Sequence, residues 1–534
     1  MEPTLSAWIE AHTRAVEPLF VANAKAEWQA NVTGCKEDEE ENARLEAQLR
    51  KYYSRREDFE QIRSFQAQGR PSDPLLARQL ERLHLAYLGN QMDPAVIEEL
   101  VRLAKSLEGR FNNFRAELDG RQVTDNQIKE ILRRESDNAT RRAAWEASKQ
   151  IGGRVADGLR ELARKRNAEA RRLGFRDFFA MGLALGELDE DRLFRTFNSL
   201  EQLSEAPFAA YRSRLDESLA RRFGVRPSEI RPWHFSDPFF QEAPPSGLSL
   251  DEYFEGRRLE PLARAHFQGM GLEVDDLLAR ADLYERPGKC QHAFCLAIDR
   301  RDDVRVLCNL VSNERWMETL LHELGHAVYD RNVDRGLPFL LREPAHILST
   351  EAIAMLNGRF TRDATWLERV AGLDSARARE LGGKLRQRTG EQLLILTRWV
   401  MVMSHFERDL YGDPNRELDS RWWDYVERFQ RVQRPEGRSR PDWAAKIHFA
   451  VAPVYYQNYL LGEMMASQLA RHVSQQVLGA GDRGLGALVG RREAGEYLRR
   501  EVFAPGASHP WEEALRRATG EGLNPEHFVA EYAA

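Results

Sequence analysis

The stretch "WMETLLHELGHAVYD" (316–330) sets two histidines four residues apart, with a glutamate directly after the first. Residues at that spacing share one helical face, so His322 and His326 can present two imidazoles to a single metal ion. Glu323 is rotated by about 100° from His322. It can therefore reach a metal-bound water without being a ligand, which suits a base that takes a proton while zinc lowers the water's pKa. Met317, Leu320, Leu321, Leu324 and Val328 surround the pair, so this helix reads as largely apolar and buried. Two histidines and a glutamate inside such a helix are costly without a compensating partner, and a metal is that partner. Gly325 leaves a face open for close approach of a substrate backbone.

Zinc needs a third protein ligand and an open fourth position. Downstream lies "LPFLLREPAHILSTEAIAMLNGRF" (337–360). Pro344 ends one element there, and Ser349 and Thr350 can cap the next. Glu351 then falls in the first turn of a new helix, where it can swing against the first in an antiparallel pair. His346 competes as ligand but precedes that helix; the pattern of two histidines plus a glutamate favours Glu351.

Outward from this pair, most of the text is helical. Residues 5–30, 38–69, 74–107 and 126–173 repeat apolar positions at three- and four-residue spacing among dense charge. Prolines and a glycine in "RPWHFSDPFFQEAPPSGLSLDEYF" (231–254) mark a long irregular connection. The best strand candidate is "QHAFCLAIDRRDDVRVLCNLV" (291–311), two alternating runs around an Arg-Arg-Asp-Asp turn, which predicts a small hairpin beside the motif helix. The expected class is therefore mainly α.

The 534 residues are 42% hydrophobic and 30% charged, the balance of a soluble globular chain. A net charge of −6, from 78 basic and 84 acidic residues without a strongly basic region, argues against a nucleic-acid partner. There is no charged-then-apolar leader and no apolar run of roughly 18 residues, so a cytoplasmic location without membrane insertion is the expectation. Oligomeric state is not legible. Four cysteines (Cys35, Cys290, Cys295, Cys308) are too few for a disulfide scaffold and lack zinc-finger spacing.

Seven segments in series resemble the angiotensin-converting enzyme family of zinc dipeptidyl carboxypeptidases and, more distantly, thimet-type oligopeptidases. They are "AEWQANVT" (26–33), "AAWEA" (143–147), "KCQHAF" (289–294), "HELGHAVY" (322–329), "LPFLLREPAHILSTEA" (337–352), "AAKIHFAVAPVYYQNY" (444–459) and "SHPWEEAL" (508–515). The resemblance implies one two-lobed domain over residues 1–534, a helical ellipsoid with a deep central channel between the lobes. Helices within about residues 1–107 would lid its entrance.

Residue by residue, it implies zinc held by His322, His326 and Glu351, with Glu323 as general base and then proton shuttle. His292 and Ala293 match a segment that runs along a bound peptide as an edge strand. His448 and Tyr459 match donors to the tetrahedral oxyanion. Tyr455, Tyr456 and Tyr459 all compete for that match. Only the last two keep the family's three-residue spacing, at the cost of one inserted residue after His448. Lys446 and Tyr456 match a grip on the substrate's terminal carboxylate. Departures follow. The glutamine of that grip is not found at "PWHFSDPF", where His234 and Phe235 stand. Asn458 and Val426 replace chloride-binding arginines, so chloride dependence should be weak or absent. Met355 replaces an aspartate beside the zinc ligands, so another group must orient the histidine. Cys290 and Cys308 match a family disulfide in position, but in a cytoplasmic chain they are expected as free thiols.

The leading expectation is a zinc metallopeptidase acting on short peptides and releasing C-terminal dipeptides. Internal cleavage of oligopeptides is the alternative. A non-catalytic peptide-binding protein of the same fold is the reading from another class, and zinc-dependent hydrolysis of a non-peptide amide also fits the metal site taken alone.

Overall fold

The computed structural model describes residues 4–244, 247–481 and 484–532. It is mainly α, with two small antiparallel hairpins among the described residues. The predicted helical stretches exist but are cut by caps that periodicity does not register. Residues 38–69 split at Ser54 into Lys36–Tyr53 and Arg56–Ala67. Residues 74–107 split where Asp93 caps Pro94–Asn113, after Pro74–Leu88 has ended at Gly89. Near 126, Thr124 and Gln127 form a capping box on Asp125–Arg134, and Asp137 starts a second helix, Asn138–Arg172.

The chain separates into two compact units. The first takes residues up to Gln91, then Ser249–Arg386 and Leu461–Phe528. The second takes Met92–Leu248, Gln387–Leu460 and the stretch from Val529.

In the first unit, helix Leu5–Thr33 is held at both ends. Ile9 and Val16 join Ile62, Phe65, Leu80, Leu83 and Tyr87 in a core closed by Phe339 and Leu340. Further along, Ala24 and Trp28 pack on Ile298 and Leu307. The helix stops at Gly34, whose positive φ of 59° suits glycine. A β-carbon there would come 1.9 Å from the Gly288 carbonyl oxygen, so a larger residue could not lie so close.

The predicted hairpin is present as Phe294–Ala297 paired with Val304–Leu307, Phe294 opposite Leu307 and Ala297 opposite Val304. Its turn is built by Asp299, whose Oδ1 accepts the backbone N–H groups of Arg301, Asp302 and Asp303 at 2.9–3.0 Å. Lys289 ties its base. The buried ammonium pairs with Asp282 at 2.9 Å and donates to the carbonyls of Asp282, Tyr284 and Cys308. An isolated bridge to Asp282 covers the outer edge of the second strand, whereas the outer edge of Phe294–Ala297 has no strand partner among the described residues.

The second unit is organised on Asn138–Arg172. Gly152 of this helix allows the Pro441 carbonyl to approach, since a β-carbon would meet its oxygen at 2.2 Å. Arg141 donates to the carbonyls of Trp233 and Phe235 and fixes the start of the irregular connection after residue 231. The other hairpin, Ala116–Leu118 with Arg121–Val123, was not anticipated: its three-residue strands are too short to show alternation.

All four cysteines are free, including Cys290 and Cys308. No helix among the described residues is long and apolar enough to cross a membrane.

Replacing Lys289 by methionine removes the buried donor to the Tyr284 and Cys308 carbonyls and one of the two cations on Asp282, which keeps Arg286. Stability should fall by about 3 kcal/mol, the usual cost of breaking a buried pair. Chemical denaturation checks this, and an unchanged midpoint would refute the role assigned to Lys289.

Candidate active site

The helix Glu314–Arg331 begins at Asn313, whose side chain accepts the N–H of Trp316, and buries Met317, Leu320, Leu321, Leu324 and Val328 as expected. It pairs with helix Ile347–Arg359 through Gly325. A β-carbon on that glycine would lie 2.8 Å from Ala354 Cα and 3.1 Å from the Ile353 carbonyl oxygen. Gly325 therefore serves the approach of two helices. The expected opening toward a substrate backbone is not what it provides.

The second helix starts earlier than the reading of Ser349 and Thr350 as caps requires. His346 is its cap, accepting the Leu348 N–H through Nδ1 at 3.0 Å, and that imidazole is turned to capping. Thr350, relieved of capping, instead places its Oγ1 2.7 Å from His326 Nδ1. This is the orienting group that the loss of the aspartate to Met355 required. Met355 itself packs toward Gly462, as does Glu351: a β-carbon on that glycine would meet Met355 Sδ at 3.3 Å and Glu351 Cβ at 3.6 Å.

Among the described residues, His322, His326 and Glu351 form the group able to hold a metal ion, their ligand atoms within 4.8 Å of one another. Glu351 lies 3.7 Å from His322 Nε2 and 3.9 Å from His326 Nε2. These are too long for hydrogen bonds. They are near the separation of roughly 3.3–3.6 Å expected for ligands about 2.0–2.2 Å from one tetrahedral ion. Burial pushes His322 down to about 4, and burial with His322 beside it pushes His326 down to about 3. Both imidazoles are therefore neutral at pH 7, the form that binds a cation. Burial, then the Glu351 carboxylate, raises Glu323 to about 8. A cation held by the neighbouring ligands would favour the ionised carboxylate that a general base needs. The donor set fits zinc.

His292 is exposed and Ala293 half-buried, immediately ahead of strand Phe294–Ala297 and on the approach to its unpaired edge.

The remaining candidates lie in the second unit. Lys446 is buried, 8% exposed, in a box of aromatic faces: Trp399 at 5.1 Å, Phe239 at 5.3 Å and Tyr456 at 5.8 Å from its nitrogen. Its hydrogen bond is to Gln241 Oε1 at 2.7 Å, and among the described residues no carboxylate pairs with it. Burial lowers Lys446 to about 8. Asp237 is near but spent, its carboxylate accepting the backbone N–H groups of Phe239, Gln241 and Glu242. Gln241 was missed from the sequence because it stands past the "PWHFSDPF" segment searched for it. The turn around Asp237 brings it back, and the signal was an aspartate in a Pro-rich stretch, able to wrap its own backbone.

The three tyrosines are separated by environment. Tyr456 is buried, 4.8 Å between ring centroids from His448, and burial pushes its phenol up to about 12. Tyr459 is 36% exposed, its ring 5.7 Å from Tyr456 and 5.3 Å from Tyr455. Burial and the Lys446 charge hold His448 down at about 4, so its ring is neutral at pH 7. Asn458 and Val426 are both buried and offer no cation at their positions.

A family model described as angiotensin-converting enzyme matches residues 1–221 and 254–533. Two curated relatives bear that same name. One, from Theromyzon tessulatum, is 23% identical over 293 residues, 53% of this chain and 47% of the relative. The other, from Haematobia irritans exigua, is 25% identical over 288 residues, 50% of this chain and 46% of the relative. The chain thus spans about half the length of the curated relatives it matches.

Gly325→Ala should force the two helices apart. The expected cost is about 1–3 kcal/mol of stability, as for overpacked cores, together with weaker zinc uptake in a chelator competition. Wild-type zinc affinity in the variant would show that the helix spacing does not set the ligand group.

Proposed function

Because the chain belongs to the angiotensin-converting enzyme family of peptidases, we propose that it is a zinc peptidase releasing dipeptides from the free C-termini of short peptides. The observation that carries this reading is Lys446, a buried ammonium bonded to a neutral amide amid aromatic rings. A desolvated cation with no carboxylate bonded to it is costly, and a terminal carboxylate is the ligand that relieves it. Gln241, whose Oε1 faces Lys446, keeps its amide N–H groups as further donors, and the Tyr456 phenol supplies another.

His322, His326 and Glu351 would hold the zinc, which when bound acidifies a water and polarises the scissile carbonyl. Glu323 takes the proton of the attacking water and returns it to the departing nitrogen. His448, as a neutral ring, and Tyr459 donate hydrogen bonds to the oxygen on which charge develops. The edge of Phe294–Ala297, led by His292 and Ala293, is suited to hold a peptide backbone by strand addition, without reading side chains.

Glu323→Gln should lower kcat by about a thousandfold or more with KM little changed, because the lost contact exists only in the transition state. Undiminished hydrolysis would rule the mechanism out. Undetectable hydrolysis by the wild-type chain loaded with zinc would favour a non-catalytic peptide-binding role.

A peptide with a free C-terminus should be cleaved far faster than its amide, and equal rates would favour internal cleavage. For the free acid, kcat/KM should fall as pH rises through about 8, where Lys446 loses its charge, and the amide should lack that limb. Added chloride should leave the rate unchanged, since Asn458 and Val426 stand where the family has arginines.

A further inference from the structure

His448 and Tyr459 are joined by "HFAVAPVYYQNY" (448–459), a connection one residue longer than the pattern it resembles. Within it Val454 takes a positive φ of 54°. A β-branched residue in the left-handed region is strained, and such strain persists only where the surroundings over-determine it.

Those surroundings are buried and polar. The Val454 N–H donates to Glu407 Oε1 at 2.9 Å, and the Val454 carbonyl accepts from Gln457 Nε2 at 2.7 Å. The valine side chain fills the space beside Gly182, where a β-carbon would stand 2.9 Å from Val454 Cβ. Upstream, Arg166 donates to the carbonyls of Phe449 and Ala450 at 2.8 and 2.7 Å, and to the Tyr411 hydroxyl at 2.9 Å. Arg166 and Glu407 also act on each other electrostatically, although burial pushes the Glu407 carboxyl up to about 7, and the two side chains grip the two ends of one short loop.

We propose that Arg166, Glu407 and Gln457 are positioning residues: they hold Val454 in its strained conformation and so set the separation of His448 from Tyr459. The inference rests on the roles given to those two residues above. Without the bracket, Val454 relaxes to negative φ, and the chain leaves the loop in a different direction. Tyr459 then moves while Lys446 and Gln241, outside the loop, stay.

The test compares Glu407→Leu with Glu407→Gln, whose amide oxygen can still accept the Val454 N–H. In the leucine variant kcat should fall about tenfold or more, as when an oxyanion donor is misplaced. KM should stay within about threefold. The glutamine variant should recover most of the loss. A leucine variant as active as wild type overturns the proposal, and so does a glutamine variant as impaired as leucine. A crystal structure of Glu407→Leu decides the matter without reference to catalysis. A relaxed Val454 with a displaced Tyr459 supports the bracket, and an unmoved Val454 overturns it. Failure of the wild-type chain to cleave peptides would instead strike the proposed function.

Discussion

Gly325 lies against the backbone of Ile353 and Ala354, and nothing larger than hydrogen fits between them. That contact sets the distance between two helices, and the distance decides whether His322 and His326 meet Glu351 around a common centre. It also brings Thr350 within reach of His326. Because the helices are rigid on this scale, a shift of less than an ångström at the glycine is passed to all three ligands together. The metal group is thus a property of helix packing as much as of the residues that carry the donor atoms.

The second unit reaches its geometry by another route. There, irregular backbone is held by buried polar side chains. Arg141 takes the carbonyls of Trp233 and Phe235, Lys149 takes that of Pro238, and Gln430 donates to Phe239 and Phe240. Phe240 has a positive φ of 51°, directly before Gln241. Val454, also at positive φ, stands two residues before Tyr456. Each strained residue precedes a member of the proposed carboxylate grip, and each is fastened by a buried side chain. A loop so fastened presents its functional group with little freedom, at the cost of strain drawn from the rest of the fold.

Much of this was legible in the residues. The spacing of His322 and His326, the apolar positions around them and the hairpin at 291–311 follow from local periodicity, which survives folding unchanged. Glu351 was found because a helix start could be read near it, although the cap was His346 and not Ser349 or Thr350. What escaped was set by tertiary approach. Gly325 reads from the sequence as open space, since nothing local says that Ile353 and Ala354 lie opposite. Gln241 escaped because a register kept in sequence is lost where Asp237 folds the chain back on itself. Thr350 as partner of His326 needs two helices in place before it can be seen. Val454 carries no signal at all, as valine is a residue that ordinarily avoids the conformation it adopts.

The box around Lys446 has a consequence for the surroundings in which the protein works. Dissolved ions weaken attraction between charges that water can reach, and do so much less for charges shut away from it. With aromatic faces about the ammonium, mobile ions cannot gather there as they would around a surface lysine. Capture of a peptide's acidic end would then vary little between dilute and salty media, and long-range steering of the incoming chain would have to come from other charges.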